Sequence, residues 1–214
     1  MTGFLNQEKG YIFRIVHREN LRTVLSRGLF ARNASGSDPA YVNIGNLDLI
    51  GRRGSRDVPL NPGGVLNDYV PFYFTPYSPM ALNIKTGWNG ITKRANDDIL
   101  IFVSSIYHVA NQGLDFVFTD RHAYLTTAKF YRDATRLNKI DWEILRSKNF
   151  KKDPRDPERV ERYQAEALIH RHVPLTGLLG VAVHSDGIKA DVQKDVDKSG
   201  TPLKVRTLPS WYFS

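Results

Sequence analysis

The sequence contains no cysteine, which excludes a disulfide framework, a thiolate metal site and a cysteine nucleophile. It also contains no run of about 18 apolar residues, the length that a membrane-spanning helix needs. The first residues lack a basic segment followed by an apolar one, which is the pattern of an export signal. We therefore expect a protein of the reducing cytoplasm that neither spans nor crosses a membrane.

Several familiar site motifs are absent as well. There is no G-x-x-x-x-G-K-[ST] and no G-x-G-x-x-G between a strand and a helix, which excludes P-loop and Rossmann nucleotide sites. There is no G-x-S-x-G turn to expose a hydrolase serine. His170, His172 and His184 lack the spacing of metal ligands, so we interpret them as packing or surface residues and expect no metal.

The composition is that of a folded basic protein. The 214 residues are 41% hydrophobic and 24% charged, which suits one domain with one core. Thirty Lys and Arg against 22 Asp and Glu give a net charge of +8. This excess favours a polyanionic partner bound through its phosphates, with a merely basic soluble protein as the alternative.

Apolar periodicity predicts short strands and helices in irregular alternation. Tyr11–Val16 is predicted as a strand, and the apolar stripe from Leu21 to Leu29 as a helix that Gly28 ends. Further strands are predicted at 69–74, 99–103, 116–118, 164–170, 178–183 and 205–212, and further helices at 123–130, 142–145 and 188–196. This order indicates an α+β fold rather than a doubly wound sheet.

Residues 33–68 are rich in Gly, Asn, Asp, Pro and Ser, which predicts turns and a long loop without regular structure. A loop of this length in a compact domain is usually functional. It carries Arg52, Arg53 and Arg56, whose guanidinium groups suit phosphates and developing negative charge. A solvated basic loop is the alternative.

Three other polar residues lie in a predicted strand or directly after one. His17 follows the first strand and could hold a hydroxyl or a carboxamide, or merely fix the turn. Tyr73 lies in an aromatic strand and could stack on a nicotinamide or a base, or pack in the core. Glu166 interrupts an apolar strand, where a carboxylate is costly unless it has a partner or a function.

These motifs, in this order, resemble the DarT toxins of the ADP-ribosyltransferase superfamily, which modify bases of single-stranded DNA. The resemblance covers the chain from His17 to about His184 and rests on these segments: His-x-x-Asn-Leu at 17–21, the Arg52-Arg53 loop, Asp-Tyr-Val-Pro-Phe-Tyr-Phe at 68–74 with Ser-Pro-Met at 78–80, Asp-Arg-His-Ala at 120–123, Ala165-Glu166 and His-Val-Pro at 172–174.

The resemblance implies a split antiparallel sheet with short helices and an NAD-binding cleft, in one domain over residues 1–214. Residues 33–68 would cover the NAD, and residues 120–165 would form the substrate loop region. Glu166 would be the catalytic glutamate that holds the nicotinamide ribose and stabilises an oxocarbenium-like transition state. Arg53 would be the catalytic arginine, with Arg52 the alternative by one register.

The remaining roles also follow from the resemblance. His17, Asn20 and Tyr73, together with Arg53 and Glu166, would bind NAD. His122 would position the DNA base, beside Arg52 and Arg56 on the DNA. The sequence departs from the family at Arg121, where a small residue is expected.

The implied activity is transfer of ADP-ribose from NAD to a base of single-stranded DNA, with release of nicotinamide and without a metal. Thymine is the expected base and guanine the alternative. The implied setting is a bacterial toxin, expected as a monomer, controlled by a macrodomain antitoxin like DarG. The alternative functions are an ADP-ribosyltransferase that acts on RNA or protein and a nucleic-acid-binding domain without catalysis.

Overall fold

The computed structural model describes residues 2–214, and strands and short helices alternate along this part of the chain. The strands are β1 (Tyr11–His17), β2 (Leu29–Phe30), β3 (Tyr69–Tyr73), β4 (Ile99–Ser105), β5 (Phe116–Thr119), β6 (Phe130–Tyr131), β7 (Glu166–His170), β8 (His172–Val173), β9 (Gly180–Val183) and β10 (Lys204–Thr207). The α-helices are α1 (Leu21–Arg27), α2 (Leu47–Arg53), α3 (Pro79–Thr86), α4 (Ile106–Asn111), α5 (Trp142–Ser147), α6 (Arg159–Arg162) and α7 (Asp186–Ser199).

Eight strands form one sheet in the order β10-β9-β4-β1-β3-β7-β5-β6. The β9–β10 pair is parallel, and the other neighbours in this sheet are antiparallel. Strands β2 and β8 form a separate antiparallel pair. The predicted α+β class is therefore confirmed.

The sheet is split between β1 and β3. Strand β1 pairs with β4 along its whole length, from Tyr11 to His17, but it pairs with β3 only through Phe13 and Tyr73. Pro71 of β3 has no N–H to donate to a ladder. Its carbonyl accepts a hydrogen bond from the side chain of Arg14, at 2.7 Å. The two halves of the sheet consequently separate beyond Phe13 and leave an opening beside β3.

The main core lies on the face of the sheet that α1 and α7 cover. Helix α7 buries Val192 and Val196 there, at a spacing of one helical turn. Large aromatic side chains from the sheet fill the core and are almost fully buried: Phe13, Phe72, Phe74, Phe102 and Phe118. The strands that border the opening are therefore held in place by this core.

Three predictions from local pattern are wrong. Residues 33–68 are not free of regular structure, because they contain α2, which Asn46 caps by accepting from the Leu49 N–H at 2.9 Å. Residues 123–130 form turns rather than a helix: the Leu125 and Ala128 N–H groups donate three residues back, and the Lys129 N–H, which a helix would direct to Leu125, donates to the Asp120 side chain. Tertiary hydrogen bonds here override helix propensity.

The third wrong prediction is the strand at 205–212. Strand β10 covers only Lys204–Thr207, and a short 3-10 helix follows at Pro209–Trp211. Pro209 has no N–H and cannot continue the ladder. Among residues 2–214, no helix combines the length and the apolar character that crossing a membrane requires.

Candidate active site

A cavity of about 440 Å³ lies at the split of the sheet. Its lining includes Arg14 of β1, Pro71 and Tyr73 of β3, and Glu166 of β7. The long loop before β3 forms much of the opposite wall, through Tyr41, Asn43, Ile44, Asn46, Ile50 and Arg53. The cavity is thus enclosed between a rigid sheet and a connecting segment.

An ion pair between Glu166 and Arg53 forms part of the cavity wall. The Arg53 Nη1 donates to Glu166 Oε2 at 2.9 Å, and the two residues are 7% and 2% exposed. Glu166 begins β7, where its own N–H donates to Thr119 Oγ1 of β5 at 3.2 Å. Arg53 ends α2, so the pair joins the long loop to the centre of the sheet.

The carboxylate of Glu166 is held in its ionised form. Burial by itself raises the pKa of Glu166, but the Arg53 guanidinium and the Ala123 N–H outweigh burial and hold this pKa below its usual value. The Ala123 N–H donates to Oε1 at 3.0 Å. Glu166 therefore presents a fixed negative charge at neutral pH.

Arg53 retains a donor that the protein does not use. Its Nη2 is buried, and it has no hydrogen-bond partner among residues 2–214. Because Arg53 lines the cavity, a bound ligand that offers an acceptor to Nη2 would remove this deficit. Glu166 and Arg53 together can stabilise both a developing positive charge and an electron-rich group.

His122 adjoins the same carboxylate. Its Nδ1 lies 3.2 Å from Glu166 Oε1 and accepts a hydrogen bond from the Tyr124 N–H at 3.2 Å. Burial, the largest influence, lowers the pKa of His122 below 6.5, although Glu166 acts in the opposite direction. The ring is therefore neutral at physiological pH, which suits positioning better than charge donation.

Tyr73 faces Glu166 across two paired strands, as its register partner. Burial and the Glu166 charge raise the pKa of its phenol, so Tyr73 stays protonated and keeps its donor. Arg14, which sequence reasoning missed, lines the same cavity. The available signal was a charged residue in the middle of the apolar strand Tyr11–Val16.

His17 and Asn20 are not among the residues that line the cavity. The Asn20 side-chain amide binds both backbone groups of Val42, each at 2.9 Å, and so holds the long loop against α1. His17 Nδ1 accepts from the Glu19 N–H at 3.3 Å. Burial, followed by Arg94, lowers the pKa of His17.

The two arginines next to Arg53 differ in their surroundings. Arg52 is exposed, and its side chain makes no hydrogen bond to residues 2–214. Arg56 is half-buried, and its Nη2 donates to the Leu125 carbonyl at 3.0 Å, with the guanidinium over the Phe130 ring. Arg52 is thus accessible to a phosphate, whereas Arg56 joins the segment after α2 to residues 120–130.

The described residues hold no cluster of three or more His, Asp or Glu that could bind a metal ion. A buried carboxylate kept ionised beside a guanidinium, in a cleft at the split of a mostly antiparallel sheet, is the arrangement that the resemblance to the ADP-ribosyltransferases implies. The chain belongs to the DarT family, whose model, described as ssDNA thymidine ADP-ribosyltransferase, matches residues 13–213. It is therefore an enzyme of a DNA-modifying family.

Relatives of known name agree with this assignment. The chain is 44% identical over 213 residues to a DNA ADP-ribosyl transferase of Escherichia coli O127:H6, covering 100% of this chain and 98% of that protein. The structure of Thermus sp. 2.9 DarT in complex with ADP-ribosylated ssDNA matches with a TM-score of 0.88 and 34% identity, over 96% of this chain and 97% of that one. The complex of the same Thermus protein with NAD+ matches with a TM-score of 0.83 and 33% identity, over 96% and 98%.

Proposed function

We propose that this protein transfers ADP-ribose from NAD to thymine in single-stranded DNA and releases nicotinamide. The observation that carries the proposal is the buried Glu166–Arg53 ion pair in the cavity wall. The family description names thymidine of ssDNA as the target. The Thermus relative, which shares this fold, has been captured with NAD+ and with ADP-ribosylated ssDNA.

Glu166 acts on the ribose of NAD. The bond from the ribose C1′ to nicotinamide breaks, the electron pair leaves with nicotinamide, and positive charge develops on the ribose. A fixed carboxylate stabilises this charge as it forms and binds the ribose hydroxyls. The new bond joins C1′ to a ring nitrogen of the base, which loses its proton to solvent, so the products are ADP-ribosylated DNA, nicotinamide and one proton.

The other residues of the cavity wall position the two reactants. Arg53 donates through its unpaired Nη2 to the base as that base loses its proton and gains negative charge. His122, neutral and fixed beside Glu166, orients the base. Tyr73 packs against the nicotinamide side of NAD at the split of the sheet.

The segments around the cavity bind different reactants. Residues 33–68 cover NAD, and Asn20 serves NAD binding by holding this segment through Val42. His17 is three residues before Asn20, and we assign to NAD its buried Nε2, which has no partner among residues 2–214. Residues 120–165 form the substrate loop region. Arg52 contacts the DNA, and Arg56 serves DNA binding by joining the segment after α2 to residues 120–130.

The biological setting is that of a bacterial toxin. Bulky groups on DNA bases block copying, so such an enzyme requires a control, and we propose a macrodomain antitoxin that removes ADP-ribose. We also propose that residues 1–214 act as one domain and as a monomer in the cytoplasm.

Mass spectrometry of short oligonucleotides tests the activity. Single-stranded oligonucleotides that carry thymine or guanine as the only candidate base are incubated with NAD and either wild type or Glu166→Gln. We expect one ADP-ribose on the thymine oligonucleotide, absent with Glu166→Gln. An adduct on guanine alone would correct the base, and NAD turnover without any DNA adduct would redirect the proposal to RNA or protein.

A further inference from the structure

Arg121 lies directly before His122 and is enclosed by carboxylates. Its Nη1 is 3.4 Å from Glu158 Oε2 and 3.5 Å from Glu161 Oε2, and its Nε is 3.6 Å from Asp120 Oδ1. The side chain is only 13% exposed. A long cationic side chain rarely becomes this buried unless its charge is paired.

These surroundings exclude Arg121 as a DNA ligand, although it adjoins the residue that would position the base. A phosphate that approached Arg121 would also approach three carboxylates and would be repelled by them. The guanidinium is instead committed to contacts within the protein. Its function must therefore be sought in what those contacts hold together.

The ion pairs of Arg121 continue into a network. Glu158 Oε2 also lies 3.8 Å from Arg162 Nη1. Arg162 in turn contacts Asp141 at 3.1 Å and Asp156 at 2.9 Å. Asp141 caps α5 by accepting from the Ile144 N–H. The network thus joins residues 120–121 to the segment 141–162, which leads directly into β7.

The ion pairs of Arg121 lie next to the two groups that contact Glu166, which are the His122 ring and the Ala123 N–H. The His122 N–H donates to the Glu161 carbonyl at 3.0 Å, next to the contact between Arg121 and the Glu161 side chain. The following residue, Ala123, donates its N–H to Glu166 Oε1. A backbone bond and an ion pair therefore fix the same short segment to the chain that precedes Glu166.

We propose that Arg121 is a positioning residue, which holds the segment 120–123 so that His122 and the Ala123 N–H meet Glu166 in one fixed arrangement. The inference rests on the proposed function, because it assigns Arg121 to the binding of the DNA base rather than of NAD. Arg53 contacts Oε2 of Glu166 independently of this segment, so this oxygen of the carboxylate stays held when Arg121 is lost.

Kinetics of three variants test the proposal. Arg121→Met removes the charge and keeps much of the length, and Arg121→Lys keeps the charge but lacks the forked guanidinium. Arg206→Met is the matched control, since Arg206 is exposed on the edge strand β10, outside residues 33–68 and 120–165. For Arg121→Met we expect kcat on a thymine oligonucleotide to fall by about ten- to a hundredfold, the range that displacing a catalytic group by about 1 Å produces. We expect KM for NAD to change much less than kcat, partial recovery in Arg121→Lys, and wild-type values for Arg206→Met.

A second measurement does not depend on activity. In NMR titrations, we expect the pKa of the His122 ring to rise toward 6.5 in Arg121→Met, because the ring loses its buried position. An unchanged His122 pKa overturns the proposal for Arg121, whether or not the wild type modifies DNA. A wild type that modifies no DNA contradicts the proposed function alone. The proposal is also overturned if KM for NAD and the melting temperature change in parallel with kcat and lysine gives no recovery, because that result means general unfolding.

Discussion

Arg53 and Glu166 are 113 residues apart in the chain and 2.9 Å apart in the fold. One belongs to the long connection before β3, and the other begins a central strand. Their ion pair therefore fastens a connecting segment to an interior strand of the sheet. The same contact keeps the carboxylate ionised in a site that is almost closed to water.

The buried ion pair predicts a specific pattern of stability. Glu166→Ala leaves the Arg53 charge buried without a partner, and Arg53→Met leaves the Glu166 charge buried without a partner. Each change should lower the free energy of unfolding by about 3–5 kcal/mol. The double variant should lose clearly less than the sum, because no unpaired charge remains. Urea denaturation measures all three variants. Glu8→Ala, at an exposed position, is the control and should stay within about 0.5 kcal/mol; an additive double variant would show that the pair is not coupled.

The protonation of His122 predicts a pH dependence. Burial lowers its pKa in the folded state below 6.5, so folding favours the neutral ring. The stability that this shift contributes is fully present above pH 6.5 and is lost as the pH falls through the folded-state pKa. The His122 ring signal in NMR, assigned with His122→Gln, should titrate below 6.5. A midpoint above 6.5 would mean that the Glu166 charge outweighs burial.

Asn20 predicts a separation of NAD binding from chemistry. Asn20→Ala removes two hydrogen bonds to Val42 and releases the long loop from α1. At about 1 kcal/mol for each bond, KM for NAD should rise by about tenfold or more, with kcat little changed. Steady-state release of nicotinamide measures both constants. Asn111→Ala, on an exposed side chain of α4, is the matched control. An equal fall in kcat and kcat/KM would place Asn20 in the chemical step instead.

Arg52 and Arg56 should respond differently to salt. Arg52 is exposed and free to bind a phosphate, whereas Arg56 is committed to the Leu125 carbonyl. Arg52→Met should lower the slope of log affinity for single-stranded DNA against log salt by about 0.7, the value for one phosphate contact. Arg56→Met should leave the slope unchanged and lower the melting temperature. Fluorescence anisotropy at several salt concentrations measures the slope for each variant. A reduced slope in Arg56→Met would show that Arg56 also contacts a DNA phosphate.

Prediction from the local sequence pattern was most reliable for strands and helices whose buried residues are evident from their own sequence. The run Ile99–Val103 is apolar throughout and forms the buried strand β4. The stripe that begins at Leu21 forms α1, which Gly28 ends with a positive φ of 77°. It failed at 123–130, where the chain forms turns and the Lys129 N–H donates to the Asp120 side chain instead of to the turn before it.

The candidate site was predictable only in part. Glu166 could be singled out as a carboxylate in an apolar strand, whereas Arg53 was chosen over Arg52 only by the family resemblance. Arg14 carried the same signal in β1, yet its place in the cavity depends on the split between β1 and β3. The bonds of Asn20 to Val42 and of Arg56 to Leu125 could not be predicted, since each joins segments far apart in the chain.

The sequence by itself determined the α+β class, the basic charge, the family resemblance and the residue types at the site. These depend on composition, periodicity and the order of short motifs, all of which are local. The tertiary structure alone decided which side chains meet, which charges are buried and paired, and which polar groups hold a loop rather than a ligand. The physical reason is that burial and pairing, which set the pKa of Glu166 and fix His122 and Arg121, arise only when distant segments of the chain pack together.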